Sequence, residues 1–403
     1  MDCFAIARND GRGIAMTVLI SHNDVIFLFV YNLLMIIGID ANEANITNRV
    51  GIGQWSYHIL TNIYKLDAKN NYYIYLKNHP LPDLPKPTPH WQYKVIGPQK
   101  LWTKIALPLN LFLSSPKPNI FLSLSHYSPS ISPCPTIPSI MDLGYLNYPN
   151  QFTKKDLYQL TNWTQKSILK AYKIITISKF SQQQLQKKYQ INPNNIIIAP
   201  PASDPVKTSL KTDQQILSKY AIKKPYFLYL GTLKPSKNIP FLLNAFSIFL
   251  KNQSIKELDY QLVIAGKKGW LFNDIFATVK KLNLKKNVVF TDYFNDNHKW
   301  SFYKQATALV IPSLYEGFGM PALEAMSVST PVIGSNTTSI PEVMGNAGIL
   351  VDPTNSQDLV KALTKIAQPT TRQSLSKLSL IQSKKYSWGK SAQTIINALT
   401  QSQ

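Results

Sequence analysis

Two carboxylates that bracket a glycine-rich loop are the residues of this sequence best suited to chemistry. Glu316 and Glu324 are separated by seven residues, and the loop between them contains Gly317 and Gly319. Glycine lets backbone approach a ligand closely, and open N–H groups at a helix start favour phosphate. Carboxylates accept hydrogen bonds from hydroxyl groups. The pattern therefore predicts a site for a ligand that carries both phosphate and hydroxyl groups.

The segments on either side place this loop between a strand and a helix. The apolar run 308–313 predicts a buried strand, and residues 322–326 predict a short helix. Pro321 fits the first helical position, where its missing N–H costs nothing. A strand-to-helix turn with two solvated glutamates is the simpler interpretation, but the context Gly-Phe-Gly-Met-Pro argues against it.

The stretch resembles the signature of retaining glycosyltransferases of family 4, which is a glutamate, seven residues and a second glutamate. The resemblance covers about residues 35–400 and is strongest from 226 to 352. It implies an α/β protein of the GT-B fold, with two Rossmann-like, doubly wound parallel-sheet domains that face a central cleft. Strand and helix patterns alternate through both halves, which independently predicts parallel sheets.

Length and composition agree with a large globular enzyme. The 403 residues exceed one ordinary core, so two domains are expected. Two cysteines and six scattered histidines argue against a disulfide framework and against the usual zinc sites. The sequence also lacks the Asp-x-Asp pattern by which the other large glycosyltransferase fold holds a divalent metal. A metal-independent enzyme without a cofactor is therefore expected.

The net charge of +22 favours anionic partners such as nucleic acid, anionic membrane or phosphorylated substrates. The lysines are spread along the chain without a dense block. A generally basic solvated surface and an attraction to membranes both remain open. Nucleic acid is the least favoured partner, because no recognition motif accompanies the charge.

Five segments are expected along the chain. The apolar run 25–37 is too short for a membrane span of about 20 residues, and no signal-type cleavage site follows it. Residues 1–34 are interpreted as an N-terminal extension, disordered or part of a misassigned start, with a membrane-anchoring hairpin as the competing interpretation. The other segments are an acceptor-binding Rossmann-like domain at 35–205, a polar linker at 206–224, a nucleotide-sugar-binding Rossmann-like domain at 225–385, and a helix at 386–403 that rejoins the first domain.

Three places in the first half resemble the family's site. Gly51 and Gly53 form a glycine loop after the first strand, and the resemblance implies that they lie near the phosphates and the acceptor. Asp142 keeps the aspartate of the family's His-Asp-Leu, but Met141 occupies the place of the histidine that contacts the donor sugar. Methionine cannot donate a hydrogen bond. His126, on a neighbouring strand end, is a candidate replacement, although a loop histidine is more often merely solvated.

In the second half, Lys237 follows a glycine turn and precedes a helix, where an ammonium can meet a diphosphate. The resemblance implies that this lysine neutralises the leaving diphosphate; a solvated lysine is the simpler alternative. Thr232 occupies the usual arginine position, so Lys234 is the other cation of the loop. The remaining residues that the resemblance assigns to the donor are Gly231, Gly266, Lys267, Tyr293, Gly317, Phe318, Gly319 and Leu323.

The catalytic residues implied by the resemblance are Glu316, Lys237 and Asp142. Glu316 would hold hydroxyls of the donor sugar, and Glu324 would hold the ribose. The resemblance also implies transfer with retention by front-face attack, without a protein nucleophile. The motif resembles that of bacterial mannosyl-type transferases. The resemblance therefore implies GDP-mannose as the first donor candidate and a UDP-sugar as the second.

The expected acceptor is a glycan or lipid-linked glycan, handled in the cytoplasm or peripherally at the inner membrane face. A GT-B epimerase or phosphorylase is an alternative that keeps the fold and changes the reaction. A non-catalytic nucleotide-sugar-binding homologue is an alternative from another class, because Met141 and Thr232 replace usual site residues.

Overall fold

The computed structural model describes residues 5–9, 15–19, 27–31, 34–205, 208–223, 225–251, 259–269 and 272–401. Its strands are β1 (Ala5–Asn9), β2 (Ala15–Leu19), β3 (Phe27–Tyr31), β4 (Ile36–Asp40), β5 (Asn71–Leu76), β6 (Trp91–Val95), β7 (Ile120–Ser123), β8 (Thr136–Pro138), β9 (Ile174–Thr176), β10 (Ile196–Ile198), β11 (Tyr226–Leu230), β12 (Gln261–Ala265), β13 (Val288–Asp292), β14 (Ala308–Ile311), β15 (Val332–Ser335) and β16 (Gly348–Val351).

The helices are α1 (Ile52–Leu66), α2 (Ala106–Leu113), α3 (Gly144–Asn147), α4 (Lys154–Lys170), α5 (Lys179–Tyr189), α6 (Leu210–Lys219), α7 (Ile239–Phe249), α8 (Asn273–Lys281), α9 (Lys299–Gln305), α10 (Met320–Ser327), α11 (Ile340–Met344), α12 (Ser356–Ala367), α13 (Pro369–Ser383) and α14 (Trp388–Thr400). Short 3-10 turns include Pro235–Lys237, directly before α7.

Two parallel sheets organise the chain. The first has the order β6-β5-β4-β7-β8, and the second has the order β13-β12-β11-β14-β15-β16. All strand pairs within these two sheets are parallel. The predicted α/β class with two parallel sheets is therefore confirmed. The carboxyl ends of neighbouring strands meet at one edge of each sheet, where ligands bind in open α/β folds.

The central strands are buried on both faces, as parallel strands with helices on either side must be. Leu262 and Val263 of β12 point to opposite faces and have no exposed surface, and the same holds for Leu309 and Val310 of β14. One cluster of buried apolar side chains includes members of both sheets as well as helix α14. The two halves of the protein are therefore connected through apolar packing as well as through the backbone.

Several elements differ from the expectation. The segment interpreted as a linker contains helix α6, whose Asp213 is buried and accepts hydrogen bonds from Ser301 of α9 at 2.7 Å and from Gln305 at 3.1 Å. The helix was not predicted because most of its residues are polar and only Asp213 and Leu217 are buried. In the segment interpreted as an extension, β1, β2 and β3 pair into an antiparallel sheet of their own. Helix α10 begins at Met320, so Pro321 is its second residue rather than its first.

The last helix, α14, packs on α1 of the first half. Ile395 of α14 is fully buried in the same apolar cluster as Ile59 of α1. At the start of α14, the ring of Trp388 stacks on the ring of His58, with centroids 4.4 Å apart and planes 8° from parallel. The C-terminal segment thus contributes to the core of the first half.

Truncation at this interface tests its energetic weight. Ile395→Ala removes buried apolar volume, so we expect a loss of about 2–4 kcal/mol of stability and a melting temperature lower by several degrees. The matched control is Ile381→Ala in α13, where the side chain is 60% exposed and the expected change is below about 0.5 kcal/mol. Thermal unfolding followed by circular dichroism measures both, and equal effects would contradict the packing of α14 on α1.

Candidate active site

The centre of the site is an ion pair between Lys237 and Glu316. The Nζ of Lys237 donates to Oε1 of Glu316 at 2.6 Å, and the hydroxyl of Ser313 donates to the same oxygen at 2.7 Å. The two charged side chains are only 17% and 14% exposed. No described residue donates a hydrogen bond to Oε2 of Glu316. That oxygen is thereby available to a ligand hydroxyl.

The backbone of Glu316 is held from the loop that follows β15. Its N–H donates to Oγ1 of Thr338 at 3.2 Å, and its carbonyl oxygen accepts from the hydroxyl of Ser339 at 2.9 Å. These contacts fix the position of the carboxylate relative to the second sheet. Sequence reasoning did not assign Ser313 or Thr338 to the site, because hydroxyl residues in loops carry no distinctive signal of their own.

Glu324 projects from α10 and has partners on both oxygens. Oε1 accepts from Nζ of Lys299 at 2.9 Å, and Oε2 accepts from the hydroxyl of Tyr303 at 2.8 Å. Burial raises the pKa of Tyr303 well above its usual range, and the charge of Glu324 adds to this effect. Burial alone would lower the pKa of Lys299, but Glu324 and Asp296 outweigh it and the pKa is raised. Lys299 is therefore charged at neutral pH.

The two halves of the protein meet at Gly317. A Cβ atom built on Gly317 would lie 2.6 Å from Oδ2 and 2.8 Å from Cβ of Asp142, so any other residue there would displace Asp142. The N–H of Gly144 donates to the other oxygen of Asp142 at 2.6 Å. The structure therefore places Asp142, from the first half, directly against the loop that follows Glu316.

Hydrogen bonds reinforce this contact on either side of Gly317. The hydroxyl of Ser178 donates to the carbonyl oxygen of Gly317 at 2.8 Å, and the hydroxyl of Tyr315 accepts from the N–H of Leu143 at 3.3 Å. The ring of Tyr315 also packs edge-on against Phe180. The loop is thus attached to two segments of the first half.

A third contact between the halves is a helix cap. The carboxylate of Glu342 accepts from the N–H groups of Lys179 at 2.9 Å and Phe180 at 3.3 Å, at the start of α5. A carboxylate at a helix N-terminus satisfies open N–H groups and meets the positive end of the helix dipole. Glu342 lies on the second half, so it caps a helix of the other half.

His126 lies beside Met141. It was suggested as a substitute for the family histidine whose position Met141 occupies. Its Nε2 accepts from the N–H of Met141 at 3.4 Å, so its proton is on Nδ1. That Nδ1 is buried, with no hydrogen-bond partner among the described residues. Burial lowers the pKa of His126, which keeps the ring neutral at neutral pH. Its contact with a donor sugar remains a prediction.

Most of the other residues assigned to the donor lie in the loops that follow β11 and β12. Gly231 and Gly266 lie back to back after β11 and β12, where a Cβ on Gly266 would overlap the carbonyl oxygen of Gly231. The loops continue side by side, because the N–H of Leu233 donates to the carbonyl oxygen of Lys267 at 3.0 Å. Thr232 and Lys234 are half-buried in the same loop, whereas the side chains of Lys267 and Tyr293 are exposed.

Two predicted donor contacts cannot be made by side chains. Leu323 is fully buried and Phe318 nearly so, and both belong to the apolar core. The ring of Phe318 packs edge-on against Tyr386, with centroids 5.5 Å apart. Only backbone groups of Leu323 and Phe318 are therefore open to a ligand, and the assignment of both residues to the donor remains a prediction.

The first-half glycine loop begins helix α1. Gly51 precedes the helix with φ +51°, a conformation that favours glycine, and Gly53 is buried in its first turn. Nearby, Asp40 at the end of β4 is buried, which raises its pKa to about 6 despite hydrogen bonds from Asn42. Sequence reasoning missed this carboxyl, although perturbed groups at strand ends often mark functional sites.

A cavity of about 680 Å³ lies elsewhere, between α1, the segment 202–204 and the start of α14. None of the residues predicted for the site lines it.

Among the residues that the structure covers, no group of three or more His, Cys, Asp and Glu side chains could hold a metal ion. In the same residues, no helix has the length and apolar character needed to cross a bilayer.

Comparison with known sequences identifies a family. Residues 213–378 match the profile described as glycosyl transferases group 1. The chain is 31% identical over 262 residues to O-antigen chain mannosyltransferase B of Escherichia coli, a match that covers 64% of this chain and 68% of that relative. It is 28% identical over 230 residues to O-antigen chain mannosyltransferase RfbU of Salmonella typhimurium, covering 57% and 60% of the two chains.

Solved structures agree at the level of the fold. WaaG, a glycosyltransferase involved in lipopolysaccharide biosynthesis, superposes with a TM-score of 0.65 at 16% identity, over 91% of this chain and all of that one. Anabaena Alr3699/HepE in complex with UDP-glucose gives 0.67 at 15% identity, over 91% and 99%. These similarities confirm the predicted GT-B fold. Together with the sequence matches they show that the chain belongs to the family of glycosyl transferases group 1 and is a glycosyltransferase.

Proposed function

We propose that this enzyme transfers a hexose, with mannose as the first candidate, from a nucleotide sugar to a glycan or lipid-linked glycan acceptor. The observation that carries the proposal is the Lys237–Glu316 pair at the carboxyl edge of the second sheet. Two relatives are O-antigen chain mannosyltransferases, which supports mannose and hence GDP-mannose as donor, and the HepE complex with UDP-glucose supports a UDP-sugar as the second candidate.

Lys237 and Lys234 supply the positive charge for the diphosphate. Burial lowers the pKa of Lys234, and the charge of the nearby Lys237 lowers it further. A diphosphate between them would relieve their repulsion. Negative charge grows on the diphosphate as the sugar departs, so fixed cations there stabilise the transition state more than the ground state.

Glu316 orients the donor sugar. Without donor, its pairing with Lys237 keeps either charge from being buried alone. With donor bound, Lys237 turns to the diphosphate, while Ser313 continues to hold Oε1. Oε2 then accepts from the sugar hydroxyls and aligns the anomeric carbon. Asp142 faces the same loop from the first half and is the third catalytic candidate.

The reaction proceeds with retention and without a protein nucleophile. The acceptor hydroxyl attacks from the side that the diphosphate leaves, and a diphosphate oxygen takes its proton. Glu324 holds the ribose, with Lys299 and Tyr303 fixing the orientation of the carboxylate. A lipid-linked acceptor would bring the enzyme to the cytoplasmic face of the membrane as a peripheral protein.

Removal of either member of the central pair tests the mechanism. We expect Glu316→Ala and Lys237→Ala each to lower kcat/KM at least about 100-fold, which corresponds to about 2.7 kcal/mol of transition-state stabilisation. The matched controls are Asp274→Ala and Lys280→Ala on the exposed side of α8, which should stay within about twofold of the wild type. Transfer is measured as nucleoside diphosphate released in the presence of acceptor. Near-normal rates in both site variants would contradict the mechanism.

Donor binding tests the role of Glu324. A ligand at about 100 times its dissociation constant stabilises the folded state by about 2.7 kcal/mol, so one nucleoside diphosphate among GDP, UDP and ADP should raise the melting temperature clearly above the others. Glu324→Ala should reduce that increase and raise KM for the donor, with a smaller effect on kcat. An unchanged increase in the variant would exclude the ribose contact.

Metal independence is tested by chelation. Dialysis against EDTA should leave the transfer rate unchanged, because Lys237 and Lys234 act in place of a divalent ion. Dialysis without EDTA is the control for loss of enzyme during handling. A rate that falls with EDTA and recovers with Mg²⁺ or Mn²⁺ would overturn this part of the proposal.

A further inference from the structure

Helix α2 and the turn that leads into it, residues 101–105, are apolar on two opposite sides. The inner side packs on the first sheet through Trp102, Ala106, Leu107 and Leu111, which are all buried. The outer side carries Leu101, Ile105, Leu109, Phe112 and Leu113, which are between 44% and 72% exposed. We call these five residues the α2 face.

The spacing of the α2 face makes it continuous. Ile105 and Leu109 are joined by a helical backbone hydrogen bond, and Phe112 and Leu113 continue the row by one further turn; Leu101 lies in the turn that precedes them. Residues four apart in a helical segment are neighbours on one side of it. Single exposed apolar side chains are common on soluble proteins, whereas a contiguous apolar surface marks an interaction site.

The charge around the α2 face has one sign. Between Asp83 and Asp142 the chain contains no acidic residue and five lysines, namely Lys86, Lys94, Lys100, Lys104 and Lys117. Lys100 and Lys104 lie at the start of the α2 face, and Lys117 follows its end; all three are exposed. This segment alone therefore contributes +5 to the net charge of +22.

A neighbouring segment extends the same surface. Nζ of Lys104 lies 4.0 Å from the ring centre of Trp163 in α4, and Ser130 connects the two segments. Its hydroxyl donates to the carbonyl oxygen of Lys104 at 3.2 Å, and its own carbonyl oxygen accepts from Nζ of Lys170 at 3.1 Å. Beside these contacts, Ile131 and Leu169 are exposed. Exposed apolar side chains and lysines therefore occur on this neighbouring segment as well.

We propose that the α2 face is the surface by which the enzyme docks on an anionic lipid bilayer. Apolar side chains of an interfacial helix enter the boundary between headgroups and acyl chains, and flanking lysines contact anionic headgroups. A second copy of this chain fits the surface less well. A twofold interface would bring the lysines of both copies together without an acidic residue of this segment to pair with them.

Docking on a bilayer rests on the proposed function, because it would bring the enzyme to a lipid-linked acceptor. Its test does not use sugar transfer. Binding to vesicles can therefore succeed while the transferase assignment fails, and the reverse outcome is equally distinct.

The first experiment is co-sedimentation of the full-length protein with lipid vesicles. We expect binding to vesicles that contain about 30% phosphatidylglycerol to exceed binding to phosphatidylcholine alone at least about tenfold, and to weaken as salt is raised. The double variant Leu109→Asn and Leu113→Asn should lower the affinity at least about tenfold. The matched control, Leu378→Asn and Ile381→Asn in α13, replaces two exposed apolar side chains elsewhere and should bind like the wild type.

The second experiment separates charge from apolar contact. Lys100→Gln with Lys117→Gln should weaken binding at low salt, and the exposed pair Lys361→Gln with Lys365→Gln in α12 should have little effect. Failure of the wild type to bind anionic vesicles would overturn the proposal, and so would equal losses in the control variants. A dimer in solution that the Leu109→Asn and Leu113→Asn variant converts to a monomer would assign the α2 face to a second copy instead.

Discussion

The close approach of backbone at Gly317 to Asp142 is the constraint on which the rest of the site depends. A side chain at that position has no room, so glycine allows the loop after Glu316 to lie on the first half. The carbonyl oxygen of Gly317 loses hydration at this contact and therefore needs another hydrogen-bond donor. The hydroxyl of Ser178 donates to it at 2.8 Å. Glu342 adds a second link by capping α5. The position of the catalytic loop is thereby determined by both halves together.

Both carboxylates of the candidate site are paired with lysines. Glu316 pairs with Lys237, and Glu324 pairs with Lys299. Removing one member of a buried ion pair leaves an unpaired charge and typically costs about 3–5 kcal/mol. The two carboxylates of the candidate site are therefore neutralised by neighbouring ammonium groups. The same contacts fix the orientation of the carboxylates, and a preorganised site lowers the cost of binding a ligand.

The residues that the first half contributes to the candidate site and the proposed α2 face lie in different parts of that half. The site uses the loops at the carboxyl ends of the parallel strands, including Asp142 after β8. The α2 face instead lies on the outside of a helix that covers the sheet, in a segment without acidic residues. Because the candidate site and the α2 face share no residue, substitutions can change one without changing the other.

The sequence by itself determined the α/β class and the strand–loop–helix around Glu316, because these follow from local patterns of apolar residues and glycine. It did not reveal helix α6, whose buried face is short and surrounded by lysines, or the burial of Leu323. Only the tertiary structure decided which groups hold the carboxylates. Lys299 is 25 residues from Glu324, and Ser178 is 139 residues from Gly317. Such partners depend on which strands become neighbours, and local sequence patterns carry no information about contacts across that separation.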